Sequence, residues 1–554
     1  MPKILINEKV YSELGAADRY SNYAVLVAGF RGRTPVLTAY ATEENPADEI
    51  QPDSNGVYEF ASYQDFEDTI GLVAPGHDCG DGEHSMMIYH YGNQMAYELL
   101  RLGYPIIYLP IDSDVGVSML EDASTWEIFK DKVSYDFRFI THGLLKSYKT
   151  GDSKDLEDRI ADLEAALEEL DKIYSIKVDL PTDSRVETTA EQEEAYKLLL
   201  NTQTLRGCIN PITGNNYMTL SAALFGGTDG IDAGSIGIIA ELKNKQSLYA
   251  KRITPALINN VNTNIANLAC YADNVPNLDT GRGDCVALIE LDENTYTGVV
   301  VKPEQAIVSA INEMSGINEA NGAYCAMTVP SVVYKMDDNE NFANNKKFPG
   351  AFHYLACFMN SLQQGFAEWY AAAGYTRGVS SYRIDKATVT LGEIAINTLE
   401  PRNDIGSENS PKFACNVIAN FRGSYYLWGN RTALMLKSPN GTTGDLKANH
   451  FLNIRQLCTT VKKQLHVACR RFTFDPNSDA LWFNFVNAIR PTLDAMKADQ
   501  GIRDYKIMKV ADSRKATLKA KIRLIPIEAI EDFDIEVSLE DSFGETAVNA
   551  TESV

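Results

Sequence analysis

The chain has 554 residues, of which 45% are hydrophobic and 23% are charged, and its formal net charge is −24 at pH 7. This length and composition predict a globular protein of several domains. The strong negative charge argues against a protein that binds nucleic acid or inserts into an anionic membrane. No apolar run reaches the roughly 18 residues of a membrane span. The N-terminal apolar stretch is also too short for a signal peptide, so we expect synthesis in a cytoplasm.

The first part of the chain predicts α/β structure. Tyr23–Phe30 is an apolar run typical of a strand that is buried on both faces. His90–Leu102 has helical periodicity, Gly103 is a helix stop, and Tyr104–Ile111 has the pattern of a strand. These elements make half of an α/β unit.

In residues 152–174, apolar residues recur at alternating intervals of four and three positions, and this pattern predicts an amphipathic helix. Packing on its own domain is favoured over an intermolecular coiled coil because the stripe lasts only about three heptads. We also predict helices over Pro255–Cys270 and Ala351–Ala373, and a strand over Cys285–Leu291. A polar, Asn-rich loop at 337–347 is a plausible domain boundary.

Several short motifs contain residues capable of chemistry, but none has a convincing spacing. His77–His84 mixes His, Asp, Cys and Glu in an order that fits no zinc signature. The Gly-rich stretch Phe225–Gly230 lacks the Lys-Ser/Thr of a phosphate loop, and Arg282–Asp284 is most simply a turn before a strand. We predict no catalytic residue, no metal ligand, no cofactor-binding residue and no cofactor.

The nine cysteines are odd in number and form no CxxC pair. Several, including Cys357 and Cys469, have apolar sequence neighbours. We therefore expect reduced, buried thiols and not a disulfide framework.

Charge is distributed unevenly near the C-terminus. Residues 447–525 contain 16 basic and six acidic residues, a net charge of +10, whereas 526–554 contains nine acidic residues and no Lys or Arg. A basic segment inside an acidic protein indicates an exposed face or a contact with an acidic protein surface, including the acidic tail of another copy.

The periodicity of this region predicts two helices and two strands. One apolar stripe runs from Ile454 to Phe472. Asp475–Asn477 then breaks the helix, and Ser478 or Asp479 can cap the next one. The strand at 518–524 has one basic face, and 533–540 predicts a strand with one acidic face. These two strands can pair within one chain, or the acidic strand can add to the sheet of a neighbour.

Several stretches of this region resemble motifs of the tail sheath proteins of contractile phages and R-type bacteriocins. They are Trp369–Gly378, Tyr426–Thr432, Leu452–Leu457, Phe472–Asn477 with Leu481-Trp482, and Gly501–Tyr505 with Ile525–Ile527. The family often has Arg and Glu where this chain has Gln456 and Asp475. The resemblance covers about 348–540 most clearly, with weaker echoes between about 20 and 300.

The resemblance implies a structural subunit that polymerises as stacked hexameric rings around a tail tube. Contraction would drive the tube through the host cell envelope for genome ejection, without nucleotide hydrolysis. The implied partners are copies of the chain itself, the tail tube protein, and baseplate and tail terminator proteins, with no direct nucleic-acid contact. The implied location is the tail of a virion that is assembled in the host cytoplasm.

The resemblance also suggests roles for particular residues. Lys462, Lys463, Arg470 and Arg471 are candidates for a surface that faces the tube or a neighbouring subunit. Leu5, Ile522, Leu524, Ile535 and Val537 are candidates for a sheet formed by strand exchange between subunits. The residues with structural roles in the motifs are Gly374, Arg377, Gly378, Trp428, Gly429, Asn453, Arg455, Phe472, Phe474, Asp475, Pro476 and Trp482.

The predicted fold class is α+β multidomain. An α/β inner domain would combine the C-terminal region with N-terminal strands, and mixed α/β insertions would face outward. The expected divisions are a strand-exchange arm at 1–22, an α/β domain at 23–144, an outward insertion at 145–260, a continuation of the outer domain at 261–347, the inner sheath domain at 348–525 and an acidic arm at 526–554.

Two alternatives stay open at this point. The chain can be the sheath of a bacteriocin or of an extracellular contractile injection system. A more distant alternative is a phosphate- or nucleotide-binding enzyme that uses the turn at Gly226–Gly230.

Overall fold

A computed structural model describes twelve stretches of the chain and residue 529: 23–31, 50–72, 90–111, 116–144, 146–147, 253–271, 281–299, 302–335, 346–399, 410–436, 447–510 and 518–527. Several predictions therefore lie outside the described residues. They concern the N-terminal arm with Leu5, the motif at 77–84, the helix at 152–174, the Gly-rich stretch at 225–230, and the acidic strand with Ile535 and Val537.

The described residues form helices and strands in alternation. The helices are α1 (Tyr63–Thr69), α2 (Gly92–Leu102), α3 (Ala123–Glu127), α4 (Pro255–Ala269), α5 (Pro303–Glu313), α6 (Gly350–Gln363), α7 (Gly374–Arg377), α8 (Glu393–Leu399), α9 (Leu452–Arg471) and α10 (Asp479–Ala498). The strands are β1 (Val25–Gly29), β2 (Tyr58–Phe60), β3 (Ile106–Pro110), β4 (Phe139–Thr141), β5 (Val286–Ile289), β6 (Cys325–Val329), β7 (Val332–Lys335), β8 (Lys346–Phe348), β9 (Arg383–Ala387), β10 (Asn416–Phe421), β11 (Ser424–Trp428), β12 (Ile502–Val510) and β13 (Lys519–Pro526).

An eight-stranded mixed sheet organises most of the fold, in the order β11-β10-β6-β5-β4-β1-β3-β2. The six strands from β10 to β3 are parallel, while β2 and β11 pair antiparallel at the two edges. All five residues of β1 are buried, as expected for a central parallel strand that is covered on both faces. The predicted strand near Tyr23–Phe30 is therefore confirmed, and the fold is of mixed α/β type.

One hydrophobic core extends through this sheet and its helices, from Ala24 to Leu452. It draws on residues of four of the expected segments, 23–144, 145–260, 261–347 and 348–525. The expected division into an inner domain and outer domains concerns positions in an assembly, and it stays a prediction.

The chain order of the sheet changes direction at β1, which lies between β3 and β4. In open parallel sheets, ligands commonly bind at the carboxyl ends of the strands at such a point. In this protein the first turn of α2 lies directly against the carboxyl end of β1. A Cβ atom on Gly92 would lie 1.7 Å from the carbonyl oxygen of Ala28, and one on Gly143 (φ +72°) would lie 2.5 Å from the Gly92 Cα. Tyr91 N–H also donates to the Gly143 carbonyl at 2.7 Å. Backbone therefore fills this part of the crevice.

Most sequence-predicted helices are confirmed, and one is too long. Gly103 ends α2 in the left-handed conformation at φ +99°, as its position after the apolar stripe predicted. The predicted helix Ala351–Ala373 is wrong beyond Gln363, because Gly365 adopts φ +91° and the Phe366 N–H turns back to the Ser361 carbonyl at 3.1 Å.

A second hydrophobic cluster is built from α9, α10, β12 and β13, and we call residues 452–526 the C-terminal module. Its buried residues are Leu457, Val461, Phe485, Val486, Ile489, Leu493, Met496 and Ile502. The two long helices match the predicted periodicity, and the Ser478 hydroxyl caps α10 by accepting from the Leu481 N–H at 3.3 Å. Strands β12 and β13 form an antiparallel pair. The predicted basic strand is therefore confirmed.

All seven cysteines in the described residues are free, and the predicted burial is confirmed at five of them, is partial at Cys458 and is wrong at Cys469. Cys270, Cys285, Cys325, Cys357 and Cys415 are free and buried. Cys469 is exposed, because it lies in the last turn of α9, where the helix leaves the core. Within the described stretches, no helix is long and apolar enough to cross a membrane.

The close contact between α2 and β1 gives a testable consequence. We expect Gly92→Ala to lower the free energy of unfolding by at least about 3 kcal/mol, because backbone atoms cannot make room for the added methyl group. Gly392→Ala is the matched control, since no atom lies within 4 Å of its added Cβ, and we expect a change within about 0.5 kcal/mol. Urea unfolding of both variants measures this, and equal changes would contradict the packing described here.

Candidate assembly interface

Arg138 attaches the C-terminal module to the large sheet. Its side chain is 2% exposed, and it precedes β4. Its Nε donates to the Gln456 side-chain oxygen at 2.7 Å, and its Nη2 donates to the Gln456 carbonyl and the Thr460 hydroxyl, both at 2.9 Å. The guanidinium also lies over the Tyr23 and Phe358 rings. A single buried cation therefore holds one face of α9 against the sheet.

A carboxylate on the neighbouring loop extends this contact. Glu368 accepts from the Thr460 hydroxyl at 2.6 Å through one oxygen and from the Tyr23 hydroxyl at 3.2 Å through the other. The Gln456 amide donates to the Tyr354 hydroxyl at 3.3 Å. Gln456 thus acts as a partner of Arg138.

Three of the motif stretches meet at a pair of asparagines. The Asn430 amide donates to the Asn453 side-chain oxygen at 2.8 Å, and the Asn453 N–H donates to the Asn430 side-chain oxygen at 3.0 Å. The Asn453 amide also donates to the Trp369 carbonyl at 3.1 Å. The motifs at 369–378, 426–432 and 452–457 are therefore parts of one structural junction.

A fourth motif reaches the same junction through Trp369. Its indole Nε1 donates to the Asp499 carbonyl at 3.0 Å. A Cβ added to Gly501 would meet the Trp369 ring at 3.0 Å. The start of β12 therefore lies against the indole, and glycine at 501 permits this close approach.

The remaining glycines and the tryptophan of the upstream motifs hold the edge of the large sheet. Gly374 opens α7 at φ +82°, and the Gly378 carbonyl accepts from the Leu427 N–H of β11 at 2.8 Å. A Cβ on Gly429 would lie 2.8 Å from the Asn416 Cα. Trp428 packs edge-on against the Tyr375 ring at 5.0 Å. These residues fix backbone positions next to the junction.

The two motif arginines pack on aromatic rings. Arg377 donates through Nε to the Ala371 carbonyl at 2.7 Å and lies 5.0 Å from the centre of the Phe366 ring. The Arg455 guanidinium lies 4.0 Å from the centre of the Tyr324 ring and is buried. Both arginines therefore stabilise the fold around the module.

The four cations that sequence analysis assigned to one surface lie in different surroundings. The Lys462 ammonium donates to the Gly283 carbonyl at 2.8 Å and to the Tyr324 hydroxyl at 3.3 Å. Lys463 forms an ion pair with Asp136. Both contacts lie within the chain. Arg470 and Arg471 are exposed in the last turn of α9, so they are the two of this set that present charge to solvent. The role of all four in contacts with a tube or a neighbour stays a prediction.

An open groove lies between β13 and the two helices. Its volume is about 940 Å³. Leu465 and Phe485 contribute to its helical wall, and Ile522 and Leu524 line it from β13. Lys519, Lys521 and Arg523 alternate with these residues along β13 and are exposed, and Lys462 and Lys521 border the groove. Among the described strands β12 is the only partner of β13, so one edge of β13 is open beside an apolar groove with a basic rim.

The turn between α9 and α10 carries the motif Phe472–Asn477. Phe472 packs against Phe485 with ring centres 6.4 Å apart, and Trp482 stacks on Phe485 at 6.0 Å. Asp475 and Pro476 are exposed. Phe474 is 102% exposed and adopts φ +74°, a conformation that costs a bulky residue about 1–2 kcal/mol. The turn therefore holds a large apolar ring fully in solvent.

The groups in the described part of the chain that resemble catalytic machinery are buried and unreactive. His353 Nε2 lies 3.5 Å from the Cys357 sulfur, a contact that sequence analysis missed. Burial lowers the pKa of His353 to about 3 and raises the pKa of Cys357, so neither a thiolate nor an imidazolium forms near pH 7. A spacing of four residues on one helix could have indicated this contact.

Other buried polar groups serve the fold. The Arg282 guanidinium, predicted to lie in a turn, pairs with Asp284 at 3.0 Å and donates to the Phe129 and Tyr135 carbonyls at 2.7 and 2.8 Å. Burial lowers the pKa of His142 to about 4, and its Nε2 lies 2.9 Å from the Asn262 side-chain oxygen. In the described stretches, no group of three or more His, Cys, Asp or Glu is arranged to hold a metal ion.

Comparison with known proteins yields structural likeness only. No protein-family model and no curated protein sequence matches the chain. Two solved structures are similar along nearly the whole chain. One is the anti-feeding prophage (AFP) baseplate, 6-fold symmetrised, with 10% identity, a TM-score of 0.49, and coverage of 98% of this chain and 99% of that chain.

A second is the PVC sheath complex of an extracellular contractile injection system in its contracted state. It has 11% identity, a TM-score of 0.45, and coverage of 98% of both chains. Both TM-scores are below 0.5.

The contact between Arg138 and α9 is directly testable. We expect Arg138→Met to lower the free energy of unfolding by about 3 kcal/mol, because Gln456 and Thr460 lose their buried donor. Lys130→Met is the control, since Lys130 is partly exposed and pairs with Glu127 only three residues away; we expect a change within about 0.5 kcal/mol. Chemical denaturation monitored by tryptophan fluorescence measures both, and a neutral Arg138→Met would show that α9 is held by other contacts.

Proposed function

We propose that the chain is a structural subunit of a contractile sheath and that the C-terminal module joins neighbouring subunits. The observation that carries this proposal is the meeting of four separate motif stretches around Trp369, Asn430 and Asn453. These stretches are far apart in the sequence, and they match motifs of one family in the family's order. In the fold they form one junction, as a structural element shared with that family requires. The proposed assembly is a stack of hexameric rings around a tail tube.

Strand exchange is the proposed way of joining subunits. An open strand edge accepts a further strand through main-chain hydrogen bonds. The segment 533–540 alternates apolar residues, including Ile535 and Val537, with acidic ones. Its apolar face suits the groove that Ile522 and Leu524 line, and its acidic face suits the basic rim. Leu5 belongs to the N-terminal arm that we propose adds a second strand.

The electrostatics support contacts that can be broken and formed again. The module is basic within an otherwise acidic chain, so acidic surfaces of neighbours and of a tube are attracted to it. Exposed ion pairs contribute little individually and weaken with salt. Such contacts can therefore rearrange during contraction without loss of the strand-exchanged connections.

The finer function is inferred from the sequence motifs. We propose that the sheath belongs to a phage tail, that baseplate and terminator proteins bind its ends, and that contraction drives the tube through the host envelope for genome ejection. The sheath of a bacteriocin or of an extracellular injection system is the alternative. Capsid genes beside its gene would support the phage, and their absence would support the alternative.

Electron microscopy of the purified protein tests the sheath proposal. We expect long hollow cylinders at high protein concentration. Particles that stay monomeric and globular at all concentrations and salt conditions would contradict the proposal.

Removal of the acidic arm tests strand exchange. We expect deletion of 528–554 to abolish cylinders while the monomer keeps its thermal stability, because the arm would bind a neighbour. Deletion of 541–554 is the control, since it keeps the alternating segment, and we expect cylinders to persist. Intact cylinders from the longer deletion would show that strand exchange through this arm is not what joins subunits.

The different surroundings of the cations give another prediction. We expect Lys462→Glu to lower monomer stability by about 2 kcal/mol, because the ammonium loses its contacts with Gly283 and Tyr324. Arg470→Glu should leave monomer stability unchanged and weaken co-sedimentation with the tube protein at low salt. Thermal unfolding and sedimentation measure the two effects. A loss of stability in Arg470→Glu, or tube binding by this variant equal to that of the native chain, would contradict the assignment of Lys462 to the fold and of Arg470 to the contact surface.

A further inference from the structure

Phe474 borders the groove between β13 and the two helices, yet its ring is fully exposed in the monomer. The last turn of α9 and the following Asp475–Asn477 hold it fully in solvent at a positive φ. The strained backbone fixes the position of the exposed ring before a partner arrives. This is typical of an aromatic residue that contacts a partner. Asp475 follows it directly and adds a carboxylate.

A small hole of about 110 Å³ lies between α9 and α10. Its apolar walls come from Val461, Leu465, Ala468, Ile489 and Leu493. An apolar cavity of about 150 Å³ is known to accept a benzene ring, and this hole is open on one side, so it is of the right order for a phenyl group. Arg471 stands at its rim.

Opposite charges lie next to the Phe474 ring and next to the hole. Asp475 follows the ring, and Arg471 borders the hole; both side chains are exposed. Within the described part of the chain, neither side chain has a hydrogen bond or ion pair. A ring inserted into the hole of another copy would place a carboxylate near a guanidinium. This complementarity identifies a second copy of the chain as the partner.

We propose that Phe474 of one copy inserts between α9 and α10 of the next copy, with Asp475 paired to the next copy's Arg471. In the proposed arrangement the ring of each copy binds one neighbour and its hole binds another, so the contact is head-to-tail. Such a contact repeats through successive copies and generates rings or filaments. The inference rests on the proposed sheath function and adds to it a contact that is separate from strand exchange.

The critical concentration for cylinder formation by the full chain tests this contact. We expect Phe474→Ala to raise it about 10- to 100-fold, since a buried phenyl ring is lost. Phe474→Gly should raise it equally while keeping or increasing monomer stability, because glycine tolerates the positive φ. Phe483→Ala is the control: Phe483 is also an exposed ring, 63% exposed on α10, and we expect a change below threefold.

A charge exchange tests the orientation of the contact. We expect Arg471→Asp and Asp475→Arg each to raise the critical concentration about fivefold, and the double variant to return it to within about twofold of the native value. Unchanged assembly by Phe474→Ala, or additive effects of the two charge changes, would overturn the proposal. Loss of tube binding by Phe474→Ala with unchanged cylinders would assign the ring to the tube instead.

The outcomes separate this inference from the proposed function. If the native chain forms no cylinders, the sheath proposal fails, and sedimentation equilibrium of the same variants then tests head-to-tail dimerisation. If the native chain forms cylinders that none of these variants affects, only the inference about Phe474 fails.

Discussion

The buried guanidinium of Arg138 is the interaction on which the arrangement of the molecule depends. The large sheet and the C-terminal module have separate hydrophobic clusters. Arg138 crosses between them by donating to the backbone and side chain of Gln456 and to Thr460. Because its donors are fixed in a planar fork, the guanidinium sets the orientation of α9 as well as its position.

The junction of Trp369, Asn430 and Asn453 adds further connections to this contact. It joins the loop after α6, the end of β11, the start of α9 and, through Gly501, the start of β12. The β12–β13 hairpin and the groove beside it therefore have a defined position relative to the eight-stranded sheet. The proposed sheath subunit would need this property, since force from one neighbour would have to pass through it to the next. In the proposed assembly, the open edge, the groove and the exposed turn of the module are the surfaces that contact other copies.

The interior of the sheet is filled by its own packing. At the point where parallel sheets commonly bind a ligand, the backbone of Gly92 and Gly143 fills the space next to β1. The adjacent His142 is held neutral by burial. His353 and Cys357 are likewise enclosed. Burial keeps these histidines and this thiol neutral.

Local features of the fold could be predicted from the sequence because they depend on neighbours along the chain. The apolar stripe of α9, the Ser478 cap and the alternation of β13 are features of this kind. The end of α6 was missed because apolar composition continues past Gln363 while Gly365 turns the backbone. The order of the sheet and the contact of Arg138 with Gln456 depend on residues 318 positions apart, and no local pattern encodes such a pair. For the same reason, Lys462 and Arg470 were predicted to share one surface. Lys462 contacts Gly283 and Tyr324, whereas Arg470 is exposed, and only the tertiary structure reveals this difference.

Hydrogen–deuterium exchange of monomers and of assembled polymer tests most directly whether assembly uses the C-terminal module. Amide protons that form hydrogen bonds or lose solvent access on assembly exchange more slowly. We expect new protection in β13 and at the turn between α9 and α10, with little change in β1, β4 and β5, which are buried in the monomer. Protection confined to other surfaces, with 465–527 exchanging as in the monomer, would contradict the account.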